Sequence, residues 1–152
     1  MAGGAASTHT SPEVLGRLLE AFRTGDRERI LRTGWELNLA PAFRDAHPDS
    51  YDTFKTIALE IPAPPPLIML QMQAIGGHDT VSRLGDIAAP TLVIHGTEDQ
   101  MLSVANAHVI AERIPGARLE ILEGVGHMFF WEEPERSARL IRDFAGVAAG
   151  AQ

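Results

Sequence analysis

Two short apolar runs limit the fold of this chain more than any other feature. Residues 91–96, TLVIHG, are unbroken, rich in β-branched side chains and preceded by Pro90. Such a run suits a strand buried on both faces of a parallel sheet. Residues 118–124, RLEILEG, form the second run, where Glu120 and Glu123 predict a more exposed, edge-like strand. Between them Val104, Ala107, Ile110, Ala111 and Ile114 recur at helical spacing, with Ser103 placed to cap and Pro115-Gly116 to end the helix. Residues 91–122 therefore predict a βαβ unit with a right-handed crossover. A final helix from about Pro134 carries Ala138, Ile141, Phe144 and Ala148 on one face.

Upstream the pattern is helical. Ser11-Pro12-Glu13 combines an N-cap, a proline at the first helical position and an acid in the first turn. Val14, Leu18 and Phe22 continue that helix, Gly25-Asp26 ends it and caps another carrying Ile30, Leu31 and Trp35, and Pro41 and Pro48 punctuate. Tyr51, Phe54, Ala58 and Ile61 mark a third helix, stopped by the PAPPP run at 62–66; Leu67, Ile68, Met72 and Ile75 mark a fourth. The expected organisation is a disordered stretch at 1–10, a helical block at 11–84, a βαβα portion at 85–148 and a tail at 149–152. The fold class is α/β, with two parallel strands.

Charge and composition remove several functions. The net charge of -7 argues against nucleic-acid or anionic-membrane partners, because phosphates need Lys and Arg to neutralise them. Without cysteine there is no disulfide framework and no thiolate metal site. The histidines show no i, i+4 pair and no H-E-x-x-H, so no metal is expected. His78-Asp79 reads as the cap of a short helix rather than a metal pair. No apolar run approaches about 18 residues, and MAGGAASTHT lacks the features of a signal peptide, so a cytoplasmic protein is expected.

Chemistry is expected where a parallel sheet places it, on loops beyond the carboxyl ends of its strands. HGTEDQMLS carries Glu98 and Asp99 after the first strand; EGVGHMFF carries His127 after the second. Neighbouring parallel strands bring these loops together, and a carboxylate that fixes an imidazole's tautomer turns it into a useful base. Gly124 and Gly126 would let the second loop turn sharply over the sheet rim. Phe129, Phe130 and Trp131 are expected to pack under the last helix. Trp35, Phe43, Phe54, Met69, Met72 and Met128 could line an acyl pocket or form ordinary core.

PTLVIHGTEDQMLS, followed by EGVGHMFFWEEPE and an amphipathic helix, resembles the C-terminal part of an α/β-hydrolase. The likeness is to the bacterial esterase and lactonase branch, which includes enol-lactonase-like enzymes and cofactor-free haloperoxidases. It implies that Asp99, in Gly96-Thr97-Glu98-Asp99, is the triad acid, with Glu98 the weaker candidate, and that His127, in Gly124-Val125-Gly126-His127, is the triad histidine. It implies that residues 11–84 are the lid, that no cofactor is needed and that the partner is a small apolar ester or lactone.

The family's chain order puts the nucleophile first, in G-x-S-x-G on a strand-to-helix turn. Ser7, Ser11, Ser50, Ser82, Ser103 and Ser137 do not lie in that pattern, and the upstream H-G motif of an oxyanion hole is absent. His95-Gly96 ends a strand in the wrong part of the sheet for that role. The resemblance thus implies a lid plus C-terminal portion, inactive alone, whose nucleophile, Ser or Asp, lies elsewhere. An open strand edge would then favour self-association. The alternative expectation is a non-catalytic helical binding module.

Overall fold

The computed structural model describes residues 10–60, 64–76 and 78–150, without the side chains at 65, 69, 72, 76 and 147–150. Five helices come first: α1 (Pro12–Thr24), α2 (Arg27–Asn38), α3 (Pro41–Ala46), α4 (Ser50–Glu60) and α5 (Pro65–Gly76). A 3-10 turn at Val81–Asp86 leads to β1 (Leu92–Gly96), α6 (Ala105–Arg113), β2 (Arg118–Leu122), α7 (Phe129–Glu132) and α8 (Pro134–Gly150).

Local chemistry sets the boundaries. The Ser11 hydroxyl accepts the Val14 N–H at 3.2 Å, and Gly25, at φ 67°, closes α1 in the left-handed region that favours glycine. The Asp26 carboxylate accepts the Glu28 and Arg29 N–H groups and starts α2. Asp79 Oδ1 accepts the Val81 N–H at 3.1 Å and opens the 3-10 turn.

Several expectations need correction. α4 does end at Glu60, ahead of the proline run, but Pro65 and Pro66 already belong to the first turn of α5, where a missing N–H costs nothing. Ser103 lies one residue too early to be the N-cap of α6; that position is Val104, although the Ser103 hydroxyl accepts the Ala105 N–H. The last helix runs on through Gly150, into the stretch expected to be tail. Residues 1–9, Ile61 to Ala63, Gly77 and residues 151–152 lie outside the described residues, and with them the expected role of Pro62 and the expected disordered start.

β1 and β2 pair in parallel, Leu92 opposite Arg118 and Gly96 opposite Leu122, with α6 as the connection. β1 is not buried on both faces: Leu92, Val93, Ile94 and His95 are only half-buried, because among the described residues β2 is its sole sheet neighbour. The βαβ unit buries Ala107, Ile114, Leu122 and Val125; the helical block buries Trp35, Leu37, Leu39, Ala40 and Tyr51. Leu37, Leu39 and Leu122 are completely enclosed, each contributing roughly 1.5–3 kcal/mol of apolar burial.

Candidate active site

The carboxyl ends of β1 and β2 are knitted into one rim. The Thr97 N–H donates to the Leu122 carbonyl at 3.0 Å, the Glu98 N–H to the Val125 carbonyl at 2.9 Å, and the Gly124 N–H to the Thr97 hydroxyl at 2.9 Å. Gly96 has to be glycine here, because a Cβ would fall 2.0 Å from the Val125 oxygen. Gly124 makes the sharp turn at φ 73°. Gly126 has a different role from the turn expected of it: a Cβ there would lie 2.6 Å from the Ala40 nitrogen, so its bareness allows two backbones to touch.

On this rim Asp99 Oδ2 stands 2.8 Å from His127 Nδ1. Asp99 Oδ1 accepts the Met101 and Leu102 N–H groups at 2.8 and 2.9 Å, so the carboxylate cannot turn away from the ring. The Asp99 side chain is 4% exposed and that of His127 is 37% exposed, which leaves the imidazole accessible. The hydrogen bond to Asp99 raises the His127 pKa above its ordinary 6.5; burial opposes this and the Asp99 charge adds to it. Glu98, by contrast, points to solvent.

A second histidine reaches the same carboxylate. His95 Nε2 lies 3.3 Å from Asp99 Oδ2, buried but off the hydrogen-bond axis, while its Nδ1 meets the Gly96 carbonyl oxygen at 2.9 Å. In the sequence His95 reads only as the end of a strand. Only its i, i+4 spacing from Asp99 across a turn could have pointed to it.

The helical block is bolted to this rim. Glu132 Oε1 accepts the Ala40 N–H at 2.8 Å and the Gly126 N–H at 3.0 Å. Burial pushes the Glu132 carboxyl up, with those two backbone donors pulling it back down. The Met128 N–H donates to the Asn38 carbonyl at 2.9 Å, and Gln100 Nε2 donates to the Glu36 and Leu39 carbonyls at 3.2 and 3.4 Å. Among the described residues no group of three or more acids and histidines converges as a metal site needs.

The family model of the alpha/beta hydrolase fold matches residues 15–134. The chain belongs to the α/β-hydrolase family. Monoacylglycerol lipase abhd6-A of Xenopus laevis is 40% identical over 78 residues, which make up 51% of this chain and 23% of that protein. An esterase from Exiguobacterium antarcticum superposes with a TM-score of 0.69 at 25% identity, over 87% of this chain and 47% of that one. The enol-lactonase from Burkholderia xenovorans LB400 gives 0.74 at 22% identity, over 89% of this chain and 51% of that one. This α/β-hydrolase chain therefore spans about half the length of those structures and under a quarter of the lipase.

The expected acyl-pocket residues of this hydrolase chain divide into three groups. Trp35 is 6% exposed, clustered with Leu39 and Tyr51, and its indole N–H donates to the Ser50 hydroxyl at 3.3 Å. It belongs to the core of the helical block. Phe43, Phe54 and Met128 pack half-buried against that cluster, and Met128 follows His127 directly. Met69 and Met72 belong to α5, but their side chains lie outside the described residues. The packing expected under the last helix also needs correction. Trp131 packs against the Trp35 cluster and stands edge-on to Phe54 of α4 with ring centroids 6.3 Å apart, Phe130 is 54% exposed, and the Phe129 carbonyl accepts the Ser137 hydroxyl of α8 at 3.3 Å. No helix among the described residues is long and apolar enough to cross a membrane.

Proposed function

We propose that this chain carries the acid and the base of a hydrolase acting on carboxylic esters or their cyclic form, lactones. The supporting observation is the Asp99–His127 pair at 2.8 Å, on loops beyond adjacent parallel strands. The 40% identity to a monoacylglycerol lipase over 78 residues favours an acyl ester among substrates.

In this reading the His127 Nδ1–H donates to Asp99 Oδ2, which fixes the tautomer and leaves Nε2 as the basic atom. Nε2 takes the proton from a nucleophile as that atom attacks the acyl carbon, then delivers it to the departing alkoxide. Water repeats the cycle to release the acid. The nucleophile and the oxyanion-binding N–H groups are supplied by sequence outside these 152 residues, and Phe43, Phe54 and Met128 contribute to the acyl wall.

The experiment joins the chain to a nucleophile-bearing half of the same fold and follows p-nitrophenyl ester hydrolysis and fluorophosphonate labelling. The chain alone is expected to show neither. The joined enzyme is expected to show both, with the label on the nucleophile of the added half. Stoichiometric labelling of a serine in the isolated chain would overturn the reading.

A further inference from the structure

His127 is held by its neighbours as well as by Asp99. The residue before it, Gly126, gives its N–H to Glu132, and the residue after it, Met128, gives its N–H to the Asn38 carbonyl. Both ties run to one short segment, because the same Glu132 oxygen also takes the Ala40 N–H. The backbones of Gly126 and Leu39-Ala40 are in contact, closer than any Cβ would allow. That segment is the junction of α2 and α3, and its Leu39 and Ala40 are fully buried.

We propose that Glu132 is a positioning residue: one carboxylate oxygen holds the His127 loop and the α2–α3 junction of the helical block as a single unit. Resting on the reading of His127 as the base, this makes the placement of its ring depend on the helical block. Both donors are neutral backbone groups, so what the position needs is a well-placed acceptor oxygen. A half-buried negative charge carries a desolvation cost there, as the raised Glu132 pKa indicates. Glutamine offers the same oxygen at the same reach, alanine offers none, and aspartate is one methylene short of spanning both donors. Unmade, the two N–H groups are left buried without partners.

The test uses the full chain and two mass-spectrometric readouts, compared between variants at the same protein concentration and state of association. Amide hydrogen exchange is followed at residues 38–40 and 126–128. Imidazole C–H deuterium exchange against pH gives the midpoint of His127. Wild type and Glu132→Gln are expected to agree on both. In Glu132→Ala, exchange in the two segments should rise together by about tenfold or more, and the His127 midpoint should fall towards that of a free imidazole. Should Glu132→Ala fail to fold, Glu132→Asp is expected to move both readouts in the same direction. Wild-type behaviour in Glu132→Ala or Glu132→Asp, loosening of one segment alone, or failure of glutamine to preserve both readouts would overturn the proposal. Asp99→Asn separates the two ideas: it should lower the His127 midpoint and leave the two segments closed. An unchanged midpoint there would sink the acid–histidine reading, while the amide data still judge Glu132.

Discussion

The Asp99 carboxylate meets the His127 ring at 2.8 Å across 28 residues of sequence, with its second oxygen anchored on two backbone N–H groups of its own loop. Each half of the pair is fixed by local structure, and the parallel register of β1 and β2 brings the halves together.

The first prediction separates Asp99 from its neighbour. In the joined enzyme, Asp99→Asn should lower turnover by about 10⁴-fold, because the amide favours the wrong imidazole tautomer. Glu98→Gln should leave the rate within a few-fold, since Glu98 faces solvent. Steady-state kinetics on both variants checks this, and a reversed order would transfer the acid role to Glu98.

The second concerns pH. The hydrogen bond to Asp99 raises His127 above 6.5, and only the neutral ring can accept a proton. The acid limb of kcat/KM should therefore have its midpoint above 6.5, and Asp99→Asn should move that midpoint down in whatever activity remains. A raised folded-state pKa stabilises the fold fully below the unfolded value and loses that contribution as pH rises through the folded value. The stability gap between wild type and Asp99→Asn should thus narrow as pH climbs past 6.5. The change is small, because His127 is more than a third exposed. Denaturant melts across that range measure it.

Two glycines in the rim should respond differently to alanine. Gly96→Ala forces a methyl to within 2.0 Å of the Val125 carbonyl oxygen and should cost about 2–4 kcal/mol. Gly124→Ala meets open space and pays only for its left-handed backbone, roughly 1–2 kcal/mol. Unfolding midpoints in the same denaturant rank the two, and a Gly124→Ala loss at or above that of Gly96→Ala would contradict the packing described.

The isolated chain should self-associate. Among the described residues β1 pairs on one side only, and its Leu92, Val93 and Ile94 are left half-buried. Leu67, Leu70 and Ile75 of α5 add exposed apolar surface. Sedimentation velocity should show mass rising with concentration. A monodisperse monomer with a sharp, cooperative melt would show that this edge is protected.

What could be read from sequence was what local chemistry decides. Ser11-Pro12 and Gly25-Asp26 gave the helix ends because caps bond within a few residues. The Asp99 and His127 loops were legible because strand ends mark them. The short helices α3 and α7, of six and four residues, carry too few positions to show a period. The partners of Trp131 and Glu132 are not legible in the sequence. Both act across more than seventy residues, on Phe54 and on Ala40, and no local pattern encodes such a meeting. The half-burial of β1 is not legible for a related reason: an apolar run indicates what a strand can bury, while its neighbours decide what it does bury.

The most direct test of the central claim is ester turnover by this chain joined to a nucleophile-bearing half, in a preparation that melts cooperatively, compared with the same enzyme carrying His127→Ala. The account predicts measurable p-nitrophenyl ester hydrolysis that falls by at least about 10³-fold in the variant. A folded joined enzyme without turnover, or one whose rate survives the loss of His127, would contradict it.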